Sequence, residues 1–243
     1  MDRINIITPV KDSIELTLKT IESITASQIS VPYSYTIYND FSTPENCKKL
    51  ESAARKYGFK LIHLSDITQN PSPNYRLVLQ IEQKKAIAEN AALCIVESDV
   101  IVKPNTLQSL FDETLKRTDT GMAAAVTVDP EGKVNYPYEY AKEEMNKIYA
   151  TEEVFSFCCT LITPALLKAY DFEQFDKSKT WYDAVLTRIS NSLGFKNYLF
   201  TNLPVIHSPH GSRPWRTLRE KNILKYYFLK LLGRHKKVSS PNG

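Results

Sequence analysis

Short apolar runs bounded by polar turns alternate along this chain with stretches whose apolar residues recur every three or four positions. These are the signatures of buried strands and amphipathic helices. Ile4 to Thr8 reads as a short buried strand, and a helix opens at Asp12-Ser13 with Ile14, Leu18, Ile21 and Ile24 on one face. Asp12 with Glu15 three residues on has capping-box spacing. Tyr33 to Asn39 is a second strand. The turn Asp40-Phe41-Ser42-Thr43-Pro44 leads into a helix that carries Leu50, Ala53, Ala54 and Tyr57 and is closed by Gly58. Lys60 to Leu64 is a third strand, and the order β-α-β-α-β predicts a parallel sheet wrapped by helices.

Ser65 to Asn74 reads as a loop, Tyr75 to Ala92 as a helix and Leu93 to Val96 as a fourth strand, with Glu97-Ser98-Asp99 at its C-terminal end. Leu107, Leu110, Phe111 and Leu115 mark another helix, and Met122 to Val128 another strand. Asp129 to Glu153 is polar, aromatic and irregular. Val154 to Ile162 resumes strand character, Trp181 to Leu193 is a helix stopped by Gly194, and Pro204 to His207 ends a last short strand. Ligands of open parallel sheets sit outside the carboxyl ends of the strands. Thr8 to Lys11, Asn39 to Ser42 and Glu97 to Asp99 all lie at such ends, so three polar clusters point to one edge of one domain, residues 1–212.

Composition narrows the chemistry. With 42% apolar and 24% charged residues among 243, the chain is an ordinary globular α/β protein, and disordered, collagen-like and coiled-coil classes are excluded. Its 7 glycines form neither G-x-G-x-x-G nor G-x-x-x-x-G-K, so any phosphate is held by a metal, by side chains or by other backbone amides. Cys47, Cys94, Cys158 and Cys159 show no C-x-x-C spacing, and the last three read as small buried hydrophobes. The N-terminus has no signal-peptide pattern and no run approaches the ~20 apolar residues of a membrane span, which together predict a cytoplasmic protein. The net charge of +4 is uneven. Residues 213–243 hold nine basic residues and one acid, +8, and residues 1–212 hold 22 basic and 26 acidic residues, −4. Nucleic-acid binding by the main body is not supported.

Five motifs occur in a telling order. They are Thr8-Pro9-Val10; Asn39-Asp40-Phe41-Ser42; Glu97-Ser98-Asp99-Val100 with Val102-Lys103-Pro104 and Leu107; Trp181-Tyr182-Asp183 with Leu186 and Arg188; and His207 with Gly211-Ser212. In these the chain resembles the family 2 glycosyltransferases from Ile4 to about Ser212. The resemblance implies a GT-A fold, in which a mostly parallel sheet wrapped by helices binds a nucleotide-diphosphate sugar, UDP-sugar by default.

It also implies roles for individual residues. Asp40 would accept from the nucleotide base, an acceptor-only carboxylate suiting an imide N–H, with Thr8 and Pro9 beside the base. Glu97-Ser98-Asp99 stands where the family has its D-x-D element. Asp99 would ligate a divalent cation, Mn²⁺ or Mg²⁺, while Glu97 would contact the donor's sugar or ribose and Ser98 is a further nucleotide-binding candidate. His207 would be a further metal or diphosphate contact, imidazole favouring Mn²⁺, and His210 is an alternative. Asp183 would be the general base on the acceptor hydroxyl, with Tyr182 departing from the family's glutamate. Trp181 is a sugar-stacking candidate, and Arg213, Arg216 and Arg76 are candidates for the diphosphate or nucleotide.

In the tail, residues 213–243, Ile223, Leu224, Tyr227, Phe228, Leu231 and Leu232 share a helical arc opposite Asn222, Lys225, Tyr226 and Lys230. This basic amphipathic helix lies on an anionic membrane surface, on its own core or on a second subunit. The resulting expectation is an inverting, metal-dependent glycosyltransferase with a glycan or lipid-linked acceptor, in cell-surface polysaccharide or glycolipid synthesis. Its rivals are a non-catalytic glycan- or partner-binding protein on the same fold and a sugar-phosphate nucleotidyltransferase. The latter is disfavoured because Thr8-Pro9-Val10-Lys11-Asp12 replaces the Gly-rich loop that such enzymes carry after the first strand.

Overall fold

Apolar residues on both faces of the central strands require a layer of helices on each side of the sheet. The computed structural model describes residues 1–178 and 181–208, with Ile223 and Tyr227 beyond them. Met1–Ser208 forms one compact unit and Pro209–Gly243 a second.

The first unit begins with β1 (Ile4–Val10), α1 (Ile14–Thr25), β2 (Tyr33–Asn39), α2 (Pro44–Tyr57) and β3 (Lys60–His63). α3 (Tyr75–Ala88), β4 (Ala92–Val96), β5 (Val100–Ile101), α4 (Thr106–Leu115) and β6 (Thr120–Val128) follow. The remainder is β7 (Ile148–Ala150), β8 (Cys159–Ile162), α5 (Pro164–Ala169), α6 (Tyr182–Ser192) and β9 (Lys196–His207). The strands form one sheet in the order β3-β2-β1-β4-β8-β6-β9-β5, with β7 also on β9.

From β3 to β4 every pairing is parallel, as the alternating pattern predicts. Beyond β4 the sheet is mixed, since β8 runs antiparallel to both β4 and β6, whereas β6 and β9 are parallel. Period-2 alternation splits the core. On β4, Ala92, Cys94 and Val96 face the side covered by Ile21 and Ile24 of α1, Leu50 of α2 and Phe111 of α4. Leu93 and Ile95 face the side covered by Leu79 of α3, Leu166 of α5 and Leu186 of α6.

Several local expectations change. Asp12 and Ser13 both adopt left-handed backbone (φ 54° and 48°), and neither side chain caps α1. That turn carries the Asp12 carboxylate away from its own helix to the start of α2, where Oδ1 accepts from Thr43 N at 2.9 Å and Asn46 Nδ2 at 3.0 Å. α3 stops at Ala88, and Asn90 (φ 48°) makes the turn into β4. The apolar stretch before β8 is not all strand, because Phe155 and Phe157 bury in the core without ladder pairing. Within the stretch read as irregular, Ile148–Ala150 pairs with β9, which is 12 residues long rather than a short terminal strand. The short α5 carries only six residues, too few to show a helical period.

Candidate active site

The parallel strands β1, β2 and β4 end on the same edge of the sheet, and the chain folds its polar clusters there. Asp40 N donates to Val10 O at 2.7 Å, which joins the ends of β1 and β2. Both oxygens of the buried Asp40 carboxylate are engaged by the next loop. Oδ2 accepts from Ser72 Oγ at 2.7 Å and Asn74 N at 2.8 Å, and Oδ1 accepts from Asn74 Nδ2 at 2.8 Å. The residue expected to read a nucleotide base therefore also orders the entry to α3. Thr8 is fully buried with its hydroxyl 3.1 Å from Tyr35 Oη, so its side chain turns inward and the half-buried Pro9 is its nearer approach to solvent. Arg76 donates from Nε to Phe175 O at 3.0 Å and from Nη2 to Glu173 O at 2.6 Å, and thereby fixes the segment that precedes α6.

A denser cluster stands at the end of β4. Glu97-Ser98-Asp99 forms the tight connection between β4 and β5, and the antiparallel pairing of Val100 with His207 brings the last residue of β9 against it. His207 Nε2 lies 3.6 Å from Asp99 Oδ2, and His207 Nδ1 lies 2.8 Å from Tyr136 O. A carbonyl only accepts, so Nδ1 carries a hydrogen and Nε2 is the atom turned to the carboxylates. Asp99, Ser98 and His207 are all buried. Burial works against the imidazolium, yet the neighbouring carboxylates of Asp99 and Glu97 overcome it and raise the His207 pKa above its ordinary value. Burial, followed by the charge of Asp99, raises that of Glu97.

Asp183, in the first turn of α6, is close enough for its charge to push Glu97 up as well. Its Oδ1 accepts from Ala184 N at 2.8 Å. Trp181, immediately before α6, is 67% exposed, the most exposed of the large apolar side chains described. Tyr182, by contrast, is core, its ring 5.0 Å from that of Phe175. Helical geometry turns successive side chains about 100° apart, so one residue faces the interior while the next faces the site.

Two neighbours of this cluster escaped the sequence reading. The thiol of Cys158 donates to Glu97 Oε2 at 3.3 Å and lies 3.9 Å from His207 Nε2. Tyr75, at the start of α3, packs edge-on against Phe157 and Tyr182, and its hydroxyl is buried without a hydrogen-bond partner. Burial, then the charges of Glu97 and Asp183, hold the Tyr75 hydroxyl well above the ordinary tyrosine pKa. Neither residue sits in a motif, and no sequence signal separates them from core residues.

Glu97, Cys158 and His207 each offer one ligand atom, all within 4.8 Å of one another, with Asp99 beside His207. Glu97, Asp99 and Asp183 set three carboxylates against one imidazole, an imbalance that a divalent cation relieves, and the oxygen, nitrogen and sulfur donors fit one. His210, Arg213, Arg216 and the expected amphipathic arc lie outside the described residues, except for Ile223 and Tyr227, which are helical and exposed. Among the described residues no helix is long and apolar enough to cross a membrane.

No protein-family model and no curated protein matches the chain by sequence. Solved structures do match it. The Pyrobaculum calidifontis mannosyltransferase PcManGT, in complex with GDP-Man and Mn²⁺, superposes with a TM-score of 0.63 over 94% of this chain and 64% of its own, at 13% identity. Staphylococcus aureus TarS 1-349 in complex with UDP-GlcNAc gives 0.64 over 86% of this chain and 59% of its own, at 15% identity. GalNAc-T7 with UDP, GalNAc and Mn²⁺ gives 0.62 over 84% and 43%, at 12% identity. The chain has the GT-A fold of these glycosyltransferases. It spans less than two thirds of the length of each.

Proposed function

We propose that this protein is a metal-dependent glycosyltransferase that moves a sugar from a nucleotide-diphosphate donor to an acceptor hydroxyl with inversion. The observation that carries the reading is the convergence of Asp183 with Glu97, Asp99 and His207 at the carboxyl edge of the sheet, on a fold shared with enzymes solved with GDP-Man, UDP-GlcNAc and Mn²⁺. Leaving-group departure adds charge to the diphosphate. A divalent ion held at Asp99 and His207 would supply that neutralisation. Asp183 would take the acceptor proton from its place in the first turn of α6. Trp181 offers an exposed aromatic face to the acceptor sugar, and Pro9 and Asp40 border the space for the base. Ser98 would contribute to the donor site. The acceptor is a glycan or a lipid-linked sugar, with residues 213–243 holding the enzyme at an anionic membrane surface.

Asp183→Asn tests the mechanism. Asparagine keeps the side-chain size but cannot take the proton, so turnover is expected to fall at least about a hundredfold, with the donor dissociation constant unchanged within about threefold. The donor is first found by thermal shift with UDP, GDP, TDP and CMP sugars, with and without Mn²⁺. Near-normal turnover in Asp183→Asn removes Asp183 from the mechanism. Donor binding without transfer or hydrolysis favours the non-catalytic alternative.

A further inference from the structure

Sugar transfer by a GT-A enzyme does not call for a thiol at the cation, yet Cys158 is built into this one's candidate metal cluster. The position is imposed by the sheet. β8 pairs antiparallel with β4 in a register that sets Cys159 opposite Val96, and Glu97 N donates to Cys158 O at 2.9 Å, which places Cys158 beside Glu97. His207 arrives from the other side through the pairing of β9 with β5. The donors therefore hang from three strand ends of one sheet, an arrangement held before any ion binds.

The spacing fits coordination. Ligand atoms ~2.0 to 2.3 Å from a tetrahedral ion lie roughly 3.3 to 3.8 Å from one another. Cys158 Sγ is 3.3 Å from Glu97 Oε2 and 3.9 Å from His207 Nε2, and Asp99 Oδ2 is 3.6 Å from that nitrogen. The widest separation within the Glu97, Cys158 and His207 set is at most 4.8 Å. Tyr136 O holds the far nitrogen of the imidazole, the outer-shell contact that orients a ligating histidine. The donors are one sulfur, one nitrogen and two carboxylate oxygens. All-oxygen sites suit Mg²⁺, whereas a thiolate with imidazole suits borderline-soft ions.

We propose that Cys158 Sγ is a direct metal ligand and that the site selects Zn²⁺ or Co²⁺ over Mg²⁺. This rests on the metal-dependent reading above. On coordination the S–H bond breaks, a sulfur–metal bond forms and the proton passes to solvent, with no change of oxidation state.

Cobalt reports sulfur ligation by its colour. The metal-free full-length chain titrated with Co²⁺ alone is expected to develop visible d–d bands together with a near-ultraviolet thiolate-to-cobalt charge-transfer band, saturating together. Cys158→Ser should lose the charge-transfer band, keep d–d absorption and bind Co²⁺ at least about tenfold more weakly, no less than the loss from an outer-shell partner. Zinc-edge X-ray absorption of the wild-type chain provides a measurement that needs no variant, and a sulfur scatterer at about 2.3 Å is expected. Cobalt bound with d–d bands alone, or zinc without sulfur scattering, overturns the thiolate ligand and leaves metal dependence standing. A charge-transfer band that survives in Cys158→Ser also overturns it, since another cysteine then supplies the sulfur. Absence of any Co²⁺ or Zn²⁺ binding overturns both readings.

Discussion

Individual side chains at this site answer to two masters, the fold and the chemistry, and Tyr75 separates them. Its hydroxyl is buried with no hydrogen-bond partner in the structure, and an unmet buried hydroxyl costs about 1 to 3 kcal/mol. Tyr75→Phe keeps the ring contacts with Phe157 and Tyr182 and removes that cost, so the ligand-free protein is expected to be as stable as the parent or more so in urea melts. A loss of more than about 1 kcal/mol in that variant would mean that the hydroxyl is satisfied in solution. Asp40 is the opposite case. Three donors from the loop at Ser72 and Asn74 saturate much of its acceptor capacity, so its carboxylate holds that loop in place.

At the scale of elements, the Asp12 carboxylate ties the turn after β1 to the start of α2. Asp12 accepts from Thr43 N and Asn46 Nδ2 across the start of α2, and the Thr43 backbone hydrogen bond is the largest influence holding its pKa below the ordinary value of 3.8. A depressed folded-state pKa contributes stability that is present above the unfolded value and lost as pH falls through the folded one. The wild type should therefore shed this contribution below about pH 4. Asp12→Asn tolerates the left-handed backbone but lacks the charge. It is expected to lose about 1 kcal/mol or less at neutral pH, given the partial exposure of the site, and to show a shallower fall in Tm between pH 5 and about 3. Equal acid sensitivity in the two proteins would show that Asp12 carries no such linkage.

Across the whole molecule, charge and packing are segregated. Met1–Ser208 contains both core clusters, and the strongly basic residues 213–243 all fall in the second unit. Deleting residues 219–243 is expected to leave Tm and donor binding of the body unchanged while abolishing sedimentation with anionic vesicles. In the full chain, that sedimentation should weaken as salt rises from ~0.05 to ~0.5 M, because screening shortens the reach of each basic charge. A truncated protein that unfolds would instead make the tail part of the folding unit, and vesicle binding that persists would move the membrane contact elsewhere.

Local pattern carried much of this architecture. The strands Ile4 onward, Tyr33–Asn39 and the one ending at Val96, the helix closed by Gly58 and the one stopped by Gly194 are all legible in sequence. Apolar periodicity and turn chemistry act over a few residues and need no partner. The polar edge formed by the ends of β1, β2 and β4 is legible for the same reason, since parallel strands must share a carboxyl edge. What tertiary structure alone decided is which polar residues meet. Glu97 and Cys158 are joined by an antiparallel register between β4 and β8, and Asp99 and His207 by a two-residue strand, β5, too short to announce itself. Cys158 has the composition of a core residue and becomes a site residue only because of the strand placed beside it. Asp12 likewise has the spacing of a cap for its own helix, but two left-handed residues send its carboxylate to another. Contacts between residues far apart in the chain depend on register and backbone handedness, and a one-dimensional pattern holds neither.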